Sequence, residues 1–326
     1  MKNKIEVPYL EFNLTDHCNL KCRYCSQLAP FNKVKYAEPD TFERDLAALS
    51  KVYHSYIFRF VGGDPLLHKR LPEFVRIVRN SGIAEKIIVC TNGLLLDKIS
   101  DTLYKDIDAL DISWYPALSL DESKLFRTRQ KCIDHDTRLT VSMISDFQLN
   151  QLDFPIDNQK LVRRIFHSCL ATHYHHCHTF YEGYYYKCSK PIYLEAYLRK
   201  KGVDSPGFQE IDGVALHAPD LYDRIEAYRD NRNPLESCSY CLGTVGKSVK
   251  WEQYNKDELN SLQPSRVIPV EELIDFKQLN RILRKLRLYR MIMGRNWLHK
   301  IWKRHHKYLP LFDHRYDPIE GFGEKR

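Results

Sequence analysis

Cys18, Cys22 and Cys25 form C-x-x-x-C-x-x-C on the loop that follows the first strand-like run of the chain. Three thiolates at this spacing can bind three irons of a cubic [4Fe–4S] cluster, and no fourth Cys is near enough to complete it. The remaining iron is then open to a small molecule. Zinc is the competing reading. Structural zinc, however, takes four ligands in paired C-x2–4-C knuckles, and the first pair here is x3 with no partner pair beside it.

A chain of 326 residues, 43% apolar and 28% charged, can bury a substantial core. It has no run of eighteen apolar residues, and the start, Met1-Lys-Asn-Lys-Ile-Glu-Val-Pro, lacks the apolar region of a signal peptide. Ten Cys without an export signal point to metal ligation in a reducing cytoplasm, not to a disulfide framework.

The first half alternates short β-rich runs with helical stretches, which predicts parallel βα units in an α/β fold. Strands are expected near 9–14, 56–61, 86–91, 108–114, 137–144 and 161–166, and helices near 39–53, 70–81, 94–106 and 121–133. Asp40 and Asp121 are expected to cap helix starts. The Cys loop, Gly62–Pro65 and Thr91–Gly93 each follow a predicted strand, so they should gather at one rim.

The run Tyr9-Leu-Glu-Phe-Asn-Leu-Thr-Asp-His-Cys-Asn-Leu-Lys-Cys-Arg-Tyr-Cys is followed by Gly62-Gly63-Asp64-Pro65 and by Thr91-Asn92-Gly93. Together they resemble the radical S-adenosylmethionine (SAM) superfamily over roughly residues 8–150. The resemblance implies a partial (β/α)6 barrel, a SAM-binding [4Fe–4S] cluster on Cys18, Cys22 and Cys25, and SAM on its open iron. It places Tyr24 beside the adenine and gives the SAM amino group to Gly62, Gly63, Asp64 and Pro65, with Asp64 replacing the usual Glu. Asn92 and Ser113 join the expected SAM contacts, although Ser113 reads equally well as a strand-end hydroxyl bonding its own backbone.

Cys169, Gly183, Cys188, Cys238 and Cys241 form C-x13-G-x4-C, a gap of about fifty residues, then C-x-x-C. This layout resembles the twitch domain, a shortened SPASM domain, and implies a second, auxiliary [4Fe–4S] cluster on the four Cys. A Gly permits a tight hairpin turn and four thiolates close a cluster. An all-thiolate zinc site uses the same donors. Cys177 lies between Cys169 and Gly183 and is open to three readings: a ligand in place of Cys169, a bystander, or a hydrogen donor. His173, His175, His176 and His178 crowd around it. Cys90 and Cys132 read as core thiols.

From Phe276 to Phe312 Lys and Arg abound with no acidic residue, and Leu279, Ile282, Leu283, Leu286, Tyr289, Met293, Trp297 and Ile301 recur at helical spacing. This is a basic amphipathic helix, interrupted near Gly294, with Trp297 and Trp302 flanking Lys and His. It can pack on the barrel, lie peripherally on an anionic membrane surface, or contact a phosphate-bearing substrate. Nucleic acid ranks last, because no binding module accompanies the charge. The expected organisation is a barrel over 1–165, a twitch-like domain over 166–255 and the basic tail over 256–326.

The resemblance also implies the chemistry. The reduced cluster cleaves SAM to a 5′-deoxyadenosyl radical, which abstracts hydrogen from the substrate, with flavodoxin or ferredoxin as electron donor. An auxiliary cluster favours dehydrogenation of an alcohol, and a spare Cys177 thiol favours epimerisation. Similarity to proteins of polysaccharide biosynthesis directs the expectation to a small polyol, cyclitol or sugar conjugate. Peptide-modifying relatives often begin with a leader-binding domain, and with the first strand starting by residue 9 none is expected here. Peptide epimerase or oxidase, and a zinc-binding adaptor without enzymatic activity, are the alternatives.

Overall fold

A computed structural model describes residues 3–118 and 121–293, with the backbone alone for 289–293. The elements in chain order are β1 Ile5–Thr15, α1 Pro39–Ser50, β2 Tyr53–Gly62, α2 Leu71–Ser81, β3 Ala84–Thr91, α3 Asp101–Asp106, β4 Ala109–Trp114, α4 Glu122–Asp134 and β5 Arg138–Met143. There follow β6 Asp146–Gln148, α5 Gln159–Ser168, α6 Leu170–His173, β7 Thr179–Tyr181, β8 Tyr184–Tyr186, α7 Lys190–Lys200, α8 Phe208–Asp212, β9 Val214–Ala215 and α9 Leu221–Asp230. The last are β10 Ser248–Lys250, α10 Lys256–Asn260 and α11 Phe276–Met293.

Strands β1 to β5 are parallel and lie in sequential order, as helix-connected βα units require. The other edge of β1 takes β7 in parallel, and the β7–β8 hairpin extends antiparallel to β9. The sheet is therefore a partial barrel of five consecutive strands completed by a hairpin. The strand expected at 161–166 is instead helix α5. Its apolar residues come in pairs, Leu161-Val162 and Ile165-Phe166, and the paired spacing buries one helical face. Asn158 caps that helix by accepting from Leu161 N at 3.1 Å. Asp121 caps α4 as expected, but Asp40 does not cap α1. Pro39 occupies the first turn there and Glu38 is the cap residue. The stretch 94–106 divides into a short 3-10 turn and α3.

The two faces of the barrel strands differ in kind. Leu10, Phe12 and Leu14 point outward to the helices, where Phe12 meets Phe42 at 4.5 Å and Phe180 at 4.8 Å between ring centroids. On the inner face, Tyr9, Ile57, Ile88 and Ala109 form an apolar cluster. Further toward the strand C-termini the inner face turns polar, with Glu11, Asn13 and Thr15 buried.

A third apolar cluster joins Leu152–Ile165 to Leu242, Val245, Leu279, Ile282 and Leu286. The described part of the basic helix, α11, is thus packed against α5. Each of Leu279, Ile282 and Leu286 is at most 1% exposed, worth about 1.5–3 kcal/mol apiece if fully buried. The expectations for Gly294, Trp297, Ile301 and Trp302, and for the side chains of Tyr289 and Met293, lie outside the described residues. Among the described residues no helix is long and apolar enough to cross a membrane.

Candidate functional site

The C-terminal ends of the strands assemble a small cavity of about 160 Å3 lined by Cys18, Cys22, Cys25, Gly62, Gly63, Cys90, Asn92, Ser113 and Tyr115, among others. The approach of β2 to the Cys loop depends on glycine. A Cβ on Gly63 would lie 1.7 Å from the His17 carbonyl oxygen, and one on Gly62 2.5 Å from that of Thr15. Burial pushes the Cys18 and Cys22 thiols up to about 12. A deprotonated donor here therefore calls for a cation beside it. Cys18, Cys22 and Cys25 on one loop, facing a cradle with no side chain, fit a cluster with one open iron. Cys90 packs against the inner-face apolar cluster, as a core thiol should, and its inward strand position beside Arg59 also brings it to the lining of this cavity.

The Asp64 side chain has three partners within the protein. Its carboxylate is fully buried and already accepts from Leu66 N (2.9 Å), Thr91 Oγ1 (2.8 Å) and Asn92 N (2.8 Å). It locks the end of β2 to the end of β3 and lines neither cavity. Pro65 is buried beside it. Gly62, Gly63, Asn92 and Ser113 are the predicted SAM contacts that do line the small cavity. Tyr24, with its backbone in the left-handed region at φ 58°, faces the neighbouring one.

That neighbour, of about 600 Å3, shares Ser26, Gln27 and Phe147 with the first as common wall. Its volume suits a small organic ligand. Glu11, Tyr24, Asn150, Cys169, Cys177, Cys188, Lys190 and Cys241 contribute to the lining. The second cysteine set converges here. Cys238 is held well above its usual range by burial first and then by the Cys188, Cys241 and Cys169 thiols. Cys177 lines the same cavity beside Glu11 and close to Cys169. Burial first, then Glu11, raises its thiol, and Glu11 accepts from Arg59 Nη1 at 3.0 Å. Gly183 behaves as expected, with φ 82° beside Glu182 at 45°, the paired positive angles of a two-residue hairpin turn between β7 and β8. Asp45 pins that turn by accepting from Gly183 N at 2.8 Å.

The histidines divide. His178 is buried, with its Nδ1 2.6 Å from the Tyr185 hydroxyl and 3.1 Å from that of Tyr53. Burial drives it well below the usual imidazole range. Among the described residues, no three His, Cys, Asp or Glu side chains are placed to share a single metal ion.

Sequence reasoning missed Glu11, Arg59, Asn150 and Lys190. Lys190 Nζ donates to Asn150 Oδ1 (2.7 Å), and Asn150 Nδ2 donates to the Tyr24 carbonyl (2.8 Å), linking the two cysteine regions. Glu11 and Asn13 had a usable signal, since polar residues alternating within an apolar strand mark an inward polar face.

Comparison with known proteins adds a family. A GTP 3',8-cyclase from Microcystis aeruginosa is 32% identical over 106 residues, 31% of this chain and 32% of its own length. Molybdenum cofactor biosynthesis protein 1 of Dictyostelium discoideum is 34% identical over 111 residues, covering 32% of this chain and 17% of its own. The match to the cyclase thus spans about a third of that relative's length. A solved structure of BtrN in complex with AdoMet and 2-DOIA overlaps 74% of this chain and 96% of its own, at 16% identity and a TM-score of 0.45. Residues 12–124 match the family model of the Radical SAM superfamily, the stretch that carries the three-thiol loop, the glycine pair and the ends of the first four strands, and the chain accordingly contains a radical SAM domain.

Proposed function

We propose that the chain is a radical SAM oxidoreductase acting on a small polyol, cyclitol or sugar conjugate, with oxidation of an alcohol to a ketone as its net reaction. The observation that carries this is the shared cavity. Residues of the first Cys loop form one wall, and Cys169, Cys188 and Cys241 form part of another.

Cys18, Cys22 and Cys25 would hold a [4Fe–4S] cluster with an open iron for SAM. Cys169, Cys188, Cys238 and Cys241 would hold a second, fully ligated one. When bound, these groups would supply homolytic removal of hydrogen from an unactivated carbon and an acceptor for the remaining electron of alcohol oxidation. The polypeptide binds, orients and shields. Gly62 and Gly63 let the backbone come close, and Asn92 and Ser113 present polar groups in the small cavity. Arg59 fixes one oxygen of Glu11, so the carboxylate stands oriented at the larger cavity to accept from a substrate hydroxyl. Lys190, 8% exposed, places a donor on another part of the lining. A one-electron protein such as flavodoxin or ferredoxin is the proposed electron source.

A second reading rests on Cys177, whose thiol shares the cavity with Glu11. Returning hydrogen from that thiol to the substrate would make the reaction an epimerisation.

Anaerobically reconstituted protein, incubated with SAM and a panel of cyclitols, sugar alcohols, sugar nucleotides and GTP, distinguishes these readings. Ketone formed in step with 5′-deoxyadenosine supports dehydrogenation. Redox-neutral product that takes up solvent deuterium, and is lost in Cys177→Ala, would replace it with epimerisation. GTP consumed in preference to every polyol would reassign the substrate class.

A further inference from the structure

The segment after the second cysteine set returns over the first. Strand β10 pairs with β6, and the chain then runs antiparallel to the Cys loop, with Cys22 bridged to Gln253. Arg23 N donates to the Glu252 carbonyl (2.8 Å), Tyr254 N to that of Lys21 (2.8 Å), and Lys21 N to Gln253 Oε1 (2.9 Å). The Arg23 guanidinium lies 4.5 Å from the Tyr254 ring centroid and pairs with Glu258.

Trp251 begins this strap. Its backbone N donates to the Ser145 carbonyl (2.9 Å), and its ring stacks on Tyr115 with centroids 5.1 Å apart and planes 18° from parallel. So oriented, the indole Nε1–H donates to Cys22 Sγ at 3.2 Å. Asn92 Nδ2 reaches Cys18 Sγ at 3.5 Å, a longer contact. Trp114, the other tryptophan among the described residues, has no hydrogen-bond partner at Nε1.

We propose that Trp251 is a positioning residue that fixes the Cys22 sulfur toward the small cavity and raises the reduction potential of the cluster held there. Donation to a charged acceptor is stronger than to a neutral one, and hydrogen bonds to ligating sulfurs are among the levers that set cluster potentials. The added electron increases the negative charge on the sulfurs, so the indole N–H favours the reduced form. Tyr115 matters through the ring plane: without the stack the donor is free to turn away. The inference rests on Cys18, Cys22 and Cys25 holding a cluster. It is independent of the substrate and of the second cysteine set.

The test compares the reconstituted full-length chain with Trp251→Phe, which keeps an aromatic ring over Tyr115 and removes the donor. The readout is an EPR-monitored potential titration of the cluster signal that changes when SAM is added. Equal iron content, with a reduction equilibrium about tenfold less favourable, is expected, which is a fall of about 59 mV for a one-electron couple. Equal iron content with an unchanged potential overturns the proposal. If the variant does not load iron, the decision passes to the unmutated chain labelled with 15N-tryptophan. Pulsed EPR of the reduced SAM-sensitive cluster should then show coupling to an indole nitrogen, and its absence overturns the proposal. If the unmutated chain shows no SAM-sensitive cluster, the reading of Cys18, Cys22 and Cys25 fails first, and this inference fails with it.

Discussion

Replacing Gly63 by Ala tests whether the cysteine loop is positioned by backbone contact. The new Cβ would lie 1.7 Å from the His17 carbonyl oxygen, 2.2 Å from its carbon and 2.8 Å from Cys18 N. Reaching the 3.0 Å that real Cβ contacts respect means moving the first of these by at least about 1.3 Å. All three atoms are backbone, so no side chain can swing aside. Gly63 N also donates to the Thr15 carbonyl at 2.8 Å, which ties the strand to the loop it would have to leave. Overpacking a well-filled site costs about 1–3 kcal/mol, and a rigid backbone neighbour puts this case at or above the upper end. For a domain of a couple of hundred residues that lowers Tm by roughly 5–10 °C. The functional loss should exceed the stability loss, because metal–ligand distances tolerate only about 0.2 Å and the displaced atoms adjoin Cys18. Iron per chain after anaerobic reconstitution should fall by roughly four, the content of one cubane. Gly183→Ala is the control. It sits at φ +82° with nothing within 4 Å of the added carbon, so it should cost about 1–2 kcal/mol of left-handed strain and lose none of the iron held by Cys18, Cys22 and Cys25. If Gly63→Ala melts like the parent and loads the same iron, the close-approach argument is wrong.

Asp64→Asn should cost about 2–3 kcal/mol in urea unfolding, since an amide nitrogen would face donors that a buried carboxylate now satisfies. An unchanged midpoint at unchanged slope would show that those bonds contribute little. His178 is held neutral by burial first and then by nearby His176, Lys187, Arg229 and His173. Its folded pKa lies below the ordinary 6.5, so the unfolded chain takes up a proton that the folded one refuses. Stability should therefore decline as pH falls below 6.5, at up to about 1.4 kcal/mol per pH unit from this group. His178→Asn should flatten that acid limb of a Tm-versus-pH curve, and an unaltered limb would exclude the residue. Leu286→Ala, at a fully buried position of α11, should cost about 2–5 kcal/mol. A shift under about 0.5 kcal/mol, the size of an ordinary surface change, would mean the helix is not packed on α5.

What could be read in advance follows a physical division. The Cys18–Cys25 loop was legible because its three thiols are neighbours in sequence, so spacing alone limits what they can bind. The Gly183 turn was legible because φ > 0 at both central residues of a short hairpin is a local demand. Residues 161–166 fold as helix α5 and not as the expected strand, because Leu161-Val162 and Ile165-Phe166 fit a helical period better than an alternating one.

Asp64 shows a different limit. The motif around it was legible, but the bonds its carboxylate makes to Thr91 and Asn92, 27 and 28 positions away, were not. Of the larger cavity, the cysteines and Tyr24 were legible, but their meeting in one place was not. Glu11 of β1, Lys190 of α7 and the loop residues Asn150 and Cys177 are far apart in the chain, and the sheet order, with β7 on the outer edge of β1, brings the Cys177 loop beside Glu11. The same holds for Trp251, which reaches Cys22 across 229 positions. Chemistry carried within a loop can be inferred from spacing. Chemistry made by one element closing on another depends on topology, and the hydrogen bond to Cys22 exists only because β10 pairs with β6 and sets the strap in register with the cysteine loop.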